Sequence, residues 1–202
     1  MEDVEGEYAV SSMYLPTLTD TPSRHPDCCV SLSSTLLGTI TASLRESIQS
    51  GLVLSVGSGT GLLEALLYAM WAPSCVSQTT NLLIEGVEVI GSGTSAFHSP
   101  NKYLPEQCFD TVNGTWAVSS RAKQAVALMF VYPRSKELVR LYIQEAGLFS
   151  GLLHVILWLG PSCDWAEFKP CFTDKSWVPV RIISGNEAGL AEYEVMAIIK
   201  RF

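Results

Sequence analysis

The chain has 202 residues, 48% of them hydrophobic and 16% charged, which is enough for one α/β domain with a substantial core and short for two. Its 13 basic against 20 acidic residues, a net charge of -7, argue against nucleic acid as a partner, because phosphate backbones are gripped by Lys and Arg. No secretory signal is visible in the polar start Met1-Glu2-Asp3, and the most apolar segment, residues 147–159, is too short to cross a bilayer.

Residues 1–33 are rich in Ser, Thr, Pro and Asp and are broken by Pro16, Pro22 and Pro26. They read as an irregular arm, with mobility and closure over a site both left open. Residues 34–202 read as a single domain. Leu36, Leu37, Ile40, Leu44 and Ile48 recur at helical spacing, with Ser33 or Ser34 as cap and Gly51 as stop. A short apolar strand, 52–56, runs into glycines, and a Leu/Ala-rich helix follows over 62–71. Residues 82–90 are strand-like although Gly86 weakens them, and a short strand is expected at 109–113. Branched and aromatic residues mark 126–132 as a strand. Ser135 caps a helix over 136–146 closed by Gly147, and 152–159 is a continuous buried strand. Residues 178–184 and 193–200 are joined too closely for a crossover helix, so they form an antiparallel pair. The fold class is therefore α/β, a seven-stranded mostly parallel sheet with helices on both faces and a C-terminal antiparallel hairpin.

The most informative stretch is VLSVGSGTGLLEA, residues 53–65, where Gly57, Gly59 and Gly61 turn a strand into a helix. Glycines let the backbone bend sharply and let a ligand approach, and the helix amino terminus suits an anionic group. The dinucleotide pattern GxGxxG needs a third glycine where Leu62 stands, a P-loop needs a following Lys, and no GxSxG elbow occurs.

The observed GxGxG at Gly57, Ser58, Gly59, Thr60 and Gly61 resembles the first motif of class I (Rossmann-like) S-adenosylmethionine-dependent methyltransferases. That motif is a strand, the glycine turn and a helix with a nearby acidic residue. The resemblance covers roughly residues 51–202, and its first third is motif-specific. It implies S-adenosylmethionine as cofactor, and Glu88, at the end of the second strand of the motif, as the carboxylate for the ribose hydroxyls. It also places Thr115 where relatives carry an acidic residue against the adenine amine, with Trp116 available for stacking. Relatives often carry an acidic or Asn-Pro-Pro-Tyr motif after the next strand; this chain has Val131-Tyr132-Pro133-Arg134 instead. That departure points away from a nitrogen acceptor and towards an oxygen nucleophile on a small molecule. Tyr132, Arg134 and, on the arm, Tyr14 are the candidate substrate contacts; no catalytic residue is singled out. The rival reading is a methyltransferase-like fold without methyl transfer, either a partner-binding subunit or an enzyme repurposed for cyclisation or isomerisation.

The other polar residues read more plainly. Gly91-Ser92-Gly93-Thr94-Ser95 is a flexible loop. His25, Cys28 and Cys29 are the only close set of metal-ligand types, and adjacent cysteines share one tetrahedral ion poorly, so no metal is expected. His98 sits in a polar loop, His154 reads as a hydrogen-bonded core residue, and Trp158, Trp165 and Trp177 read as core. The six cysteines, scattered apart from Cys28-Cys29 and without a CxxC, are expected to be small buried hydrophobes in a reduced, cytoplasmic protein. A homo-oligomer is left open.

Overall fold

A computed structural model describes residues 15–72, 81–90, 101–149, 151–173, 177 and 180–201. Tyr14, the second glycine turn at 91–95 and His98 lie outside these residues.

The arm holds a hairpin, β1 (Ser23–His25) and β2 (Cys28–Leu32), where the sequence reading expected irregular chain. Pro22 precedes the first strand and Pro26 lies between the two, so the prolines punctuate the hairpin instead of breaking its pairing. Helix α1 (Ser34–Arg45) starts on Ser33, whose hydroxyl oxygen accepts the Leu36 N–H at 2.9 Å. It stops well before Gly51, which belongs to β3 (Ser50–Val56). Gly51 has φ +122°, and a Cβ there would stand 2.7 Å from Val126, so this glycine permits a close strand approach and does not end the helix.

Helix α2 (Leu62–Trp71) and strands β4 (Asn81–Val89), β5 (Phe109–Val112) and β6 (Ala125–Val131) follow closely on the expected elements. Helix α3 (Lys136–Phe149) continues through Gly147, whose helix penalty is only about 1 kcal/mol; the left-handed turn falls at Gly151, φ +61°. Strand β7 (Val155–Pro161) consequently begins later than expected. His154 precedes it and is exposed, not part of the core, with its backbone N–H donating to Val126 and its carbonyl accepting from Arg201. Helix α4 (Ser162–Phe168), which sequence spacing does not announce, leads towards β8 (Arg181–Ser184), the one-turn α5 (Gly185–Ala188) and β9 (Glu194–Lys200).

The seven-stranded sheet has the order β5-β4-β3-β6-β7-β9-β8. Strands β5, β4, β3, β6 and β7 pair in parallel, and β9 is antiparallel to both β7 and β8. Successive strand residues point to opposite faces, so Ala127 and Met129 of β6 join the layer under α1 and α2, while Leu128 and Phe130 join the layer under α3 and α4. In the second layer Trp158 packs against Trp165 with ring centroids 5.2 Å apart, and Trp177 is also buried, as expected of the three tryptophans. The cysteines differ from expectation. None of the five described ones is fully buried, and Cys29 and Cys163 are exposed. Among the described residues no helix is long and apolar enough to cross a membrane.

From β3 the chain winds outward through β4 to β5, and from β6 it winds the other way. The carboxyl ends of β3 and β6 therefore part around a crevice, the place where such sheets bind ligands.

Candidate functional site

The glycine turn leaves β3 at Val56. Gly57, Gly59 and Gly61 have φ +80°, +57° and +79°, a region that other residues enter only with strain. A Cβ on Gly57 or Gly59 would meet no described atom within 4 Å, so no described residue covers either. Most of the amides are already bonded. The N–H groups of Gly57 and Ser58 donate to Val87 O at 2.9 and 3.1 Å, and that of Gly61 to Ser58 O at 3.0 Å. The bonds to Val87 draw the turn onto β4, and what the turn offers a ligand is uncovered backbone. Gly86 makes this contact possible, because a Cβ there would stand 2.6 Å from the Ser58 hydroxyl.

Glu88 at the end of β4 faces the turn. Its Oε2 accepts the Gly59 N–H at 2.7 Å and its Oε1 accepts the Val89 N–H at 2.8 Å. A cavity of about 440 Å³ opens here, within the range of roughly 300–1,000 Å³ usual for small-molecule sites. Gly57, Gly59 and Glu88 form one wall; Tyr132, Pro133 and Arg134, after β6, form another; Thr115 closes the rim. Trp116 does not line it. Its indole lies over Gly114 and is 75% exposed, so the expected stacking partner for adenine is turned outward. Thr60 and Gly61 also face elsewhere. The Thr60 hydroxyl donates to Asp27 O at 2.7 Å, and Gly61 packs on Asn101 and Leu104.

Two acids that the sequence reading missed complete the region. Glu64, in the first turn of α2, is fully buried; its Oε1 accepts the Ser55 hydroxyl at 2.6 Å and its Oε2 has no partner among the described residues. Burial pushes its titration up to about 7, and the neighbouring Glu88 carboxylate adds to that rise. The signal was present: Glu64 is the one charge in an otherwise Leu/Ala-rich helix beginning at the glycines. Glu194, fully buried on β9, accepts N–H groups from Ser31 and Ala191 and the Tyr132 hydroxyl. Nothing in its strand, EVMAIIK, marks it as a buried acceptor.

Tyr132 has φ +50°, the only described non-glycine residue with a positive φ. Its N–H donates to Leu159 O at 2.7 Å and its hydroxyl to Glu194, and these bonds fix a conformation that by itself costs about 1–2 kcal/mol. Burial, then the Glu194 carboxylate, raise the phenol's titration far above its usual range. The arm hairpin covers the same end of the sheet: Asp27 accepts Lys102 Nζ and the Tyr103 hydroxyl, each at 2.7 Å, and Cys29 of β2 reaches the cavity. Lys102 in turn holds the Asp27 carboxyl below the usual carboxylate range.

The structure thus brings Gly57, Gly59, Glu88, Thr115, Tyr132 and Arg134 together and leaves Ser58, Thr60, Gly61 and Trp116 off the cavity wall. No protein-family model and no curated protein matches the sequence. Solved structures do resemble it. The methyltransferase domain of bacterial CtHen1-CN is 14% identical, with TM-score 0.52 over 82% of this chain and 97% of that one. The plantazolicin methyltransferase BpumL, solved with a triazolic desmethylPZN analog and SAH, is 10% identical, with TM-score 0.54 over 83% of each chain. The precorrin-6y C5,15-methyltransferase of Geobacter metallireducens GS-15 is 9% identical, with TM-score 0.53 over 89% and 92%. At such identities the likeness concerns architecture, and the architecture is that of the class I methyltransferases.

Proposed function

We propose that this chain binds S-adenosylmethionine at the glycine turn and transfers its methyl group to a small molecule bearing an acidic oxygen. The observation that carries the reading is the single cavity joining the uncovered Gly57 and Gly59 and the Glu88 carboxylate to Tyr132 and Arg134. The residues present fit the cofactor: Gly57 and Gly59 carry no Cβ and no described atom covers them, and the buried Glu64 Oε2 beside them has no partner among the described residues.

When bound, the cofactor supplies a methyl carbon already activated on a sulfonium, so the chain has mainly to hold and align the reactants. Glu88, an acceptor-only group when ionised, suits a pair of ribose hydroxyls. Arg134 is exposed at the cavity and makes no ion pair with a described residue, leaving its planar fork for a carboxylate or phenolate. The Tyr132 phenol stays protonated and gives its one hydrogen to Glu194, so it shapes the wall beside the acceptor and takes no proton from it. An acceptor that ionises unaided, such as a carboxylic acid or acidic phenol, matches that pair. The proposal keeps the cytoplasmic setting expected from the scattered cysteines.

Labelled S-adenosylmethionine incubated with carboxylic acids, phenols and amines tests this. Label should pass to the acidic oxygens and transfer should fall at least tenfold in Arg134→Ala, the effect of one lost charge-assisted pair. Binding of S-adenosylhomocysteine without transfer to any of them would instead assign the chain to partner binding, cyclisation or isomerisation.

A further inference from the structure

Two guanidinium groups approach Tyr132 from different parts of the chain. Arg134 stands two residues further on and lines the cavity. Arg24 comes from β1, and both the Tyr132 phenol and the Glu194 carboxylate lie within its electrostatic reach. His25 pairs with Cys28, so strand alternation puts Arg24 and Cys29 on the other face of the hairpin, and Cys29 lines the same cavity.

Arg24 is exposed, yet it is held in place. Its Nε and Nη2 donate to the Tyr193 hydroxyl at 2.9 and 2.6 Å, and its Cζ lies 5.5 Å from the centre of that ring. The Tyr193 hydroxyl in turn neighbours that of Tyr132, whose hydrogen goes to Glu194. A chain of hydroxyls thus joins an exposed guanidinium to a buried carboxylate, and its members polarise one another. The Nε edge of Arg24 is spent on this anchor. The Nη1–Nη2 edge is left, and it can grip a carboxylate with two parallel bonds.

No described acid takes that edge. Glu194 is engaged by Ser31, Ala191 and Tyr132. In a chain with 13 basic against 20 acidic residues, cations readily find a carboxylate, as Lys102, Arg121, Lys136 and Lys200 do. Arg24 and Arg134 pair with none among the described residues, and they are the two that approach Tyr132. A neutral ligand would use neither charge, and a single anion would use one. A ligand with two anionic ends uses both.

We propose that Arg24 sets the specificity for the methyl acceptor: it takes the second carboxylate of a dicarboxylic acid whose first lies at Arg134. This deepens the reading above and rests on it. Tyr193 is then a positioning residue, aiming Arg24 through its hydroxyl.

The test is calorimetry on the full chain saturated with S-adenosylhomocysteine. The probes are linear dicarboxylic acids of increasing length, each set against its own monomethyl ester, which keeps the shape and loses one charge. At the best length, wild type should prefer the diacid by roughly 5–20-fold, the scale of a charge-assisted pair at a partly exposed site. Arg24→Ala should bind diacid and ester within about twofold of each other, at the level of the ester in wild type. Arg24→Lys, which keeps the charge and loses the fork, should keep a fewfold preference. Tyr193→Phe retains the ring and the hairpin's own charge, and should lose part of the preference with no change in ester binding. Equal affinity for diacid and ester at every length in wild type overturns the Arg24 assignment alone, as does a preference undiminished in both Arg24→Ala and Tyr193→Phe. Wild type that binds S-adenosylhomocysteine but neither kind of acid overturns the acidic acceptor as well. Failure to bind S-adenosylhomocysteine overturns the cofactor reading and this inference with it.

Discussion

On the β3–β4 side of the cavity Val56, Gly57, Gly59, Val87 and Glu88 come from one strand–turn–helix–strand unit, and the contacts among them are largely made by backbone. On the β6 side Tyr132 owes its place to Glu194 on the last strand, which also holds Ser31 of the arm hairpin and Ala191 of the final turn. The first wall is a local motif that folds where it is written; the second is a junction of three distant chain segments. Substitutions on the first should therefore alter ligand binding with little change in stability, and those at the centre of the second should do the reverse.

The largest expected effect follows from the second wall. Glu194→Ala leaves two N–H groups and a phenol without an acceptor in the interior, a loss of about 3 kcal/mol or more. For a chain of this length that lowers Tm by roughly 6–12 °C, read by calorimetry or circular dichroism. An unchanged melting temperature would dissolve the contrast between the walls.

Glu64 sharpens the comparison from the other side, as a strained group within the local wall. Its folded titration, about 7, stands above the ordinary carboxyl value of 4.5, so the native state holds an extra proton between those limits. The stabilisation is complete below about pH 4.5 and is lost as pH rises through 7. Glu64→Gln removes that dependence, and its stability relative to wild type should grow by about 2–3 kcal/mol from pH 5 to pH 8 in denaturant titrations. A gap that is constant with pH would mean the carboxyl titrates normally. The smallest effect belongs to Trp116→Ala: an indole 75% exposed and off the cavity wall should change stability by about 0.5 kcal/mol or less and cofactor affinity by less than about twofold. A larger loss would return Trp116 to the adenine position that the sequence suggested for it.

The same contrast explains how much could be read in advance. The α/β order, the terminal hairpin and the glycine turn follow from short-range periodicity and spacing; Glu88 came from the resemblance to the methyltransferase motif, and the structure places it against Gly59. Helix ends were read less well. Gly51 and Gly147 looked like stops, yet one serves close strand packing and the other is carried within α3. His154 looked buried because the apolar run starts beside it, but pairing of β7 begins one residue later. Glu194 and the hairpin over the site were not legible, since their meaning lies in partners 62 to 163 residues away. The outward turn of Trp116 is likewise a matter of where one loop lands.

One titration bears most directly on the account: S-adenosylhomocysteine added to wild type and to Glu88→Ala, with circular dichroism showing both folded. Wild type should bind one ligand per chain and the variant should bind roughly 10–100-fold more weakly, the effect of losing a carboxylate that accepts two hydroxyls. Equal affinity in the two proteins, or no binding by wild type, would contradict it.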